Sequence, residues 1–184
     1  MYTDDIEKML VVAEKKIAYM RQSPMGYLLL STLAGVYVGF GIVLIFSIGG
    51  PLAKAGDPHL KLIMGASFGI ALSLVIFAGS ELFTGNNMVF AVGRLSERVG
   101  IPSILYLFAL CYVGNLVGSV FLAWLVVKGG SLVSASVELI VKSSEVKMNL
   151  PADQLFLRGI ACNWLVCLAV WTSSRTQNDA AKLI

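Results

Sequence analysis

Residues 60–93, LKLIMGASFGIALSLVIFAGSELFTGNNMVFAVG, form a membrane-length apolar run with an acid, Glu81, in its interior. About 20 apolar residues suffice to cross a bilayer as a helix. An ionisable group at the bilayer centre opposes such a crossing by about 2.5–3.5 kcal/mol on insertion scales. Small residues, Ala78, Gly79 and Ser80, precede Glu81, and Leu82, Phe83, Thr84, Gly85, Asn86 and Asn87 follow it. The simplest resolution is a broken helix, because irregular backbone at membrane depth survives only where protein or a water-filled path satisfies its polar groups. A second half-helix starting near Asn86 would aim its first amides into that path. This arrangement favours an anion.

The rest of the composition agrees with a membrane setting. Of 184 residues 57% are hydrophobic and 14% charged, and the mean hydropathy is +0.81, far from a soluble domain. The chain reads as an all-α integral membrane protein. Its net charge of +3 is small and its basic residues are dispersed, so a nucleic-acid partner is excluded. Cys111, Cys162 and Cys167 lie in apolar runs without ligand spacing, which indicates neither a disulfide framework nor a metal site. A membrane electron-transfer enzyme would need paired intramembrane histidines or a cysteine cluster. His59 is the only histidine, so no cofactor and no enzyme activity is expected.

Residues 3–20 place Ile6, Met9, Leu10, Ala13, Ile17 and Met20 at helical spacing, with Thr3 as cap. This predicts an amphipathic helix at the interface or packed on the bundle. Residues 25–49 make the first span, closed by a loop from Gly50 to Pro58, and 60–93 make the broken second. The third span is 101–127, where Gly114 and Gly118 read as close helix packing and Asn115 as glue to the broken backbone. A polar connection with a short helix at 132–141 leads to the fourth span, 154–173. Asn163 in that span is either interhelical glue or a pore-lining donor. Residues 174–184 are expected to begin an incomplete fifth element.

Four spans put both termini on one side. With the N-terminus inside, eight basic residues (Lys8, Lys15, Lys16, Arg21, Arg94, Arg98, Arg175, Lys182) face five outside (Lys54, Lys61, Lys128, Lys142, Lys147), which favours a cytoplasmic N-terminus. The first and fourth spans both follow Pro-containing polar segments and would cross in opposite directions. Such an inverted echo marks channel and transporter folds.

Three stretches, SFGIALSLVIFAGSELFTGNN, GNLVGSVF and CNWLVCLAVW, carry a resemblance over essentially the whole chain. In this order and spacing they resemble the formate/nitrite transporter family, most of all its nitrite-channel branch. The resemblance implies an aquaporin-like helical bundle with a broken second transmembrane helix, four spans being present of an implied six. It further implies a pentamer with one pore per protomer, multi-pass in a bacterial inner membrane. Its substrates would be small monovalent anions, nitrite first, then formate and hydrosulfide.

Carried over by position, Phe68, Leu72 and Leu82 match the apolar pore constrictions, and Leu82, Phe83 and Thr84 the loop that breaks the second helix. Asn163 matches an asparagine at the pore centre and Lys147 a lysine of the outer vestibule. In physical terms a basic vestibule concentrates anions, apolar slits disfavour a bare charge, and Thr84 with Asn163 offers hydrogen bonds to a pair of oxygens. Glu81 would repel an anion if it faced the pore, so it is expected to turn away and bond to the loop backbone, steadying the break; a pH-dependent gate is its alternative role. The family's central histidine, its proposed proton donor, falls beyond residue 184. The chain is therefore expected to be C-terminally truncated, conducting poorly by itself or serving as a non-conducting scaffold that co-assembles with complete protomers.

Overall fold

The computed structural model describes residues 2–183, and those residues form helices and connections without a strand. The first helix, α1 (Thr3–Gln22), carries Asp4 and Asp5 in its first turn and Arg21 in its last, charges that complement the helix dipole. Thr3 is not its cap: Tyr2 occupies the cap position and makes no side-chain capping bond. Met9, Leu10, Ala13, Ile17 and Met20 are buried, so the apolar stripe is spent on protein contacts.

Ser23 begins α2 (Pro24–Lys54), its hydroxyl accepting the Gly26 amide at 3.2 Å, with Pro24 in the first turn where no amide is needed. The helix does not stop at Gly50. It runs through Pro51 to Lys54, held there by packing on the seventh helix, where a Cβ on Gly50 would meet Ser136. The second apolar run is broken twice, into α3 (Leu60–Ser67), α4 (Gly69–Phe77) and α5 (Phe83–Leu95). The first interruption, at Phe68, keeps right-handed helical dihedrals and barely turns the chain. The second is the real break: Gly79 has φ +72°, and Leu82 is extended at φ −96°, ψ 126°.

Next come α6 (Ile101–Lys128), α7 (Ser134–Met148), α8 (Ala152–Arg175) and the short α9 (Asp179–Leu183). The helix expected at 132–141 is thus longer and shifted, extending to Met148. Among the described residues four segments are long and apolar enough to cross a membrane: Pro24–Lys54, Leu60–Phe77, Ile101–Lys128 and Ala152–Arg175.

The tightest pair is α2 with α6. A Cβ on Gly35 would run into the Asn115 carbonyl, one on Gly118 into the Thr32 carbonyl, and one on Gly114 into Ser31. Glycines on both helices therefore let the two backbones touch, the usual way to gain van der Waals energy where lipid supplies no hydrophobic drive. On the other side α1 lies on α5, and Ala13, Ile17 and Met20 join Val89, Phe90 and Val99 in a common core. Phe83 and Phe90 each meet Phe108 of α6, at ring distances of 5.2 and 5.8 Å. None of α8 is buried, and it packs chiefly on α5.

Candidate functional site

The break at residues 78–82 leaves backbone groups at membrane depth, and each side of it is held differently. Asn115 holds the backbone. Its Oδ1 accepts the Phe83 amide at 3.0 Å, while Nδ2 donates to the carbonyls of Ser31 at 2.8 Å and Glu81 at 2.9 Å. The Glu81 amide in turn donates to the Leu30 carbonyl at 3.2 Å. One side chain on α6 thereby fastens α2, the break and the start of α5 together.

Glu81 itself is not bonded through its carboxylate to the loop backbone, as the sequence suggested. The carboxylate turns to side chains of other elements: the Lys16 ammonium of α1, the Tyr27 hydroxyl of α2 at 2.9 Å, and the Asn86 amide of α5 at 3.1 Å. Asn86 also donates to the Tyr27 hydroxyl at 3.0 Å. The Glu81 and Lys16 side chains are only 12% and 21% exposed, so the acid persists at this depth because a cation and two neutral donors replace its water. In the sequence Lys16 reads only as an inner-side charge and Asn86 only as the start of the half-helix, and Tyr27 does not stand out. A lysine on an amphipathic helix looks solvated, and nothing in the sequence brings residue 16 beside residue 81.

Beside this network lies a cleft of about 370 Å³ lined by Leu72, Leu82, Glu81, Lys16, Gly85 and Val170, among others. It brings the candidate constriction residues Leu72 and Leu82 to one place. Phe68 sits one turn before Leu72, with its ring against Gly41. With α5 starting at Phe83, three residues earlier than Asn86, Asn115 takes the first amide. The next two, of Thr84 and Gly85, have no acceptor within the helix.

Where α5 meets α8, Asn87 donates to Asn163 Oδ1 at 2.7 Å, Asn163 Nδ2 donates to Cys167 Sγ at 3.1 Å, and Cys167 Sγ stands 3.8 Å from the Thr84 carbonyl. Thr84 and Asn163 are thus parts of one string, with Cys167 between them. Lys147 lies in the last turn of α7, exposed and without an ion-pair partner among the described residues, on an element packed chiefly against α2. His59 is exposed beside Asp57. Among the described residues no three His, Cys, Asp or Glu side chains stand together to hold a metal.

A broken membrane helix with a satisfied acid at its break invites comparison with known channels. The formate/nitrite transporter family model matches residues 3–184. The chain belongs to the formate/nitrite transporter family. It is 42% identical to the nitrite transporter NirC of Salmonella typhimurium over 182 residues, 98% of this chain and 66% of that protein. Among solved structures it matches an FNT family ion channel at a TM-score of 0.90 and 42% identity, over 98% of this chain and 72% of the other. It also matches a pentameric formate channel with formate bound, at a TM-score of 0.75 and 26% identity, over 89% and 65%. The chain spans about two thirds of the length of the curated relatives it matches first. As a formate/nitrite transporter family member it is a multi-span membrane protein whose named relatives are transporters and channels.

Proposed function

We propose that this chain builds the wall of a transmembrane pathway for small monovalent anions, with nitrite the leading substrate and formate and hydrosulfide its competitors. The observation that carries the reading is the break itself: α5 opens with two amides free of intrahelical acceptors, beside a cleft lined by Leu72 and Leu82. Kinship to a nitrite transporter at 42% identity supports nitrite as the first anion to test. Phe68, Leu72 and Leu82 act as the apolar constrictions, Thr84 and Asn163 supply hydrogen bonds to the anion outside them, and Lys147 draws anions toward the mouth. Apolar slits disfavour a bare charge, so a proton accompanies the anion as it passes. Glu81 and Asn115 hold the break in shape.

The protein sits in the lipid bilayer of a bacterial inner membrane with its N-terminus cytoplasmic, a reading supported by the eight-to-five distribution of basic residues and by its bacterial relatives. It assembles as a pentamer. The pentameric formate channel at 26% identity supports this.

Reconstituted into liposomes, the protein is expected to take up nitrite faster than empty vesicles, with alkalinisation of the medium. Thr84→Val is expected to slow uptake without altering assembly, and Lys147→Ala to weaken it at low salt only, where charges are least screened. Uptake indistinguishable from empty vesicles for both nitrite and formate would overturn the reading.

A further inference from the structure

Thr84 and Asn87 are three residues apart on α5, and Asn163 and Cys167 four apart on α8, so each pair shares a helix face. The two helices pack on each other, and all four residues are half-buried. Between them runs a string of donors with one direction: Asn87 N–H to Asn163 oxygen, Asn163 N–H to Cys167 sulfur, Cys167 S–H toward the Thr84 carbonyl. Each member of the string gives in the same sense, the arrangement in which hydrogen bonds polarise one another.

The amide of an asparagine is two-faced, with an oxygen that only accepts and a nitrogen with two hydrogens to give. To a passing anion the nitrogen is attractive and the oxygen repellent. A free Asn163 could turn either face to the pathway. The string removes that freedom: the Thr84 carbonyl at its end can only accept, so Cys167 gives to it and takes one of the two Asn163 amide hydrogens, while Asn87 occupies the oxygen at 2.7 Å. The second hydrogen stays available. The same two asparagines line an open groove with Phe156, Ile160 and Trp164, so the Asn163 amide stands beside apolar side chains at the edge of that groove.

We propose that Asn87 is a positioning residue that sets the direction of the Asn163 amide, so that the pathway presents an N–H and not a carbonyl oxygen to the anion. This rests on Asn163 as an anion contact in the reading above. It adds a specificity determinant outside the constriction: the discrimination of anions depends on a second amide that never needs to touch them.

The test is the concentration dependence of nitrite uptake by the reconstituted protein carrying Asn87→Leu, Asn87→Ala or Asn87→Gln. The first two have no N–H to give and add no charge, and Asn87→Ala removes the donor with the least bulk should Asn87→Leu fail to assemble. Asn87→Gln keeps the donor on a longer arm. Asn87→Leu and Asn87→Ala are expected to raise the half-saturating nitrite concentration about tenfold, the change that follows from losing roughly 1.4 kcal/mol of anion binding. Asn87→Gln should stay within about threefold of the unaltered protein on the same scale, with the assembled protein recovered from detergent in every case. Half-saturation unchanged in Asn87→Ala, or raised equally in Asn87→Gln, would overturn the inference while leaving the channel reading intact. Absence of nitrite and formate uptake by the unaltered protein would instead overturn the channel reading, and this inference with it.

Discussion

Replacing Glu81 by Gln is the most informative single change to the break. The substitution keeps the shape and one acceptor for Tyr27, but it leaves the Lys16 ammonium, 21% exposed, without its only ion-pair partner among the described residues. Removing one member of a buried pair costs about 3–5 kcal/mol. Here the upper part of that range is excluded by the residual exposure of Lys16, which lets water and tilt of the α1 side chain recover part of the loss. About 3 kcal/mol is the expected cost, again from the buried-pair range. For a chain of this size 1 kcal/mol moves the melting midpoint by about 2–4 °C, so the shift should be about 6–12 °C. The assay is thermal unfolding of the purified protein in detergent, followed for Glu81→Gln, Lys16→Met and the double variant. The double variant removes both charges and should recover most of the loss, because neutral replacements of a buried ion pair are often tolerated. A shift under about 2 °C in Glu81→Gln, less than 1 kcal/mol on this scale, would refute the claim that Lys16 and Glu81 stabilise one another at depth.

Other expectations follow from the same geometry. Asn115→Ala should lower stability by about 3 kcal/mol and slow anion uptake, since it leaves the Phe83 amide and the carbonyls of Ser31 and Glu81 without this partner, at about 1 kcal/mol or more each. Gly118→Ala should abolish correct α2–α6 packing, visible as loss of folded protein after extraction, because the added carbon collides with the Thr32 backbone; Gly159→Ala, with nothing nearby, should be near neutral in the same measurement. Gly79→Ala should cost about 1–2 kcal/mol in detergent melting because of its φ of +72°. By contrast Arg98→Gln, whose side chain is 47% exposed and faces Glu7 and Glu14 at the surface, should change stability by no more than about 1 kcal/mol.

The membrane setting, the helical class and the break near Glu81 were legible in the chain itself. Each is a local property: apolar runs are read by length, and an acid followed by Leu82, Phe83, Thr84 and Gly85 inside such a run contradicts a continuous helix whatever its neighbours are. Gly114 and Gly118 of α6 announced close packing for the same reason, and the stretches 67–87, 114–121 and 162–171 announced the family. Helix ends were less legible. Pro51 and Gly50 look like a stop, yet α2 continues because its last turn packs against α7, where a Cβ on Gly50 would meet Ser136. What only the tertiary structure decided is which groups satisfy one another. Glu81 needed a partner, and the sequence could not choose between the backbone beside it and a lysine 65 residues earlier, because a hydrogen bond reports distance in space and not along the chain. The same holds for Asn87 and Asn163, 76 residues apart, whose 2.7 Å contact exists only once α5 and α8 are packed side by side.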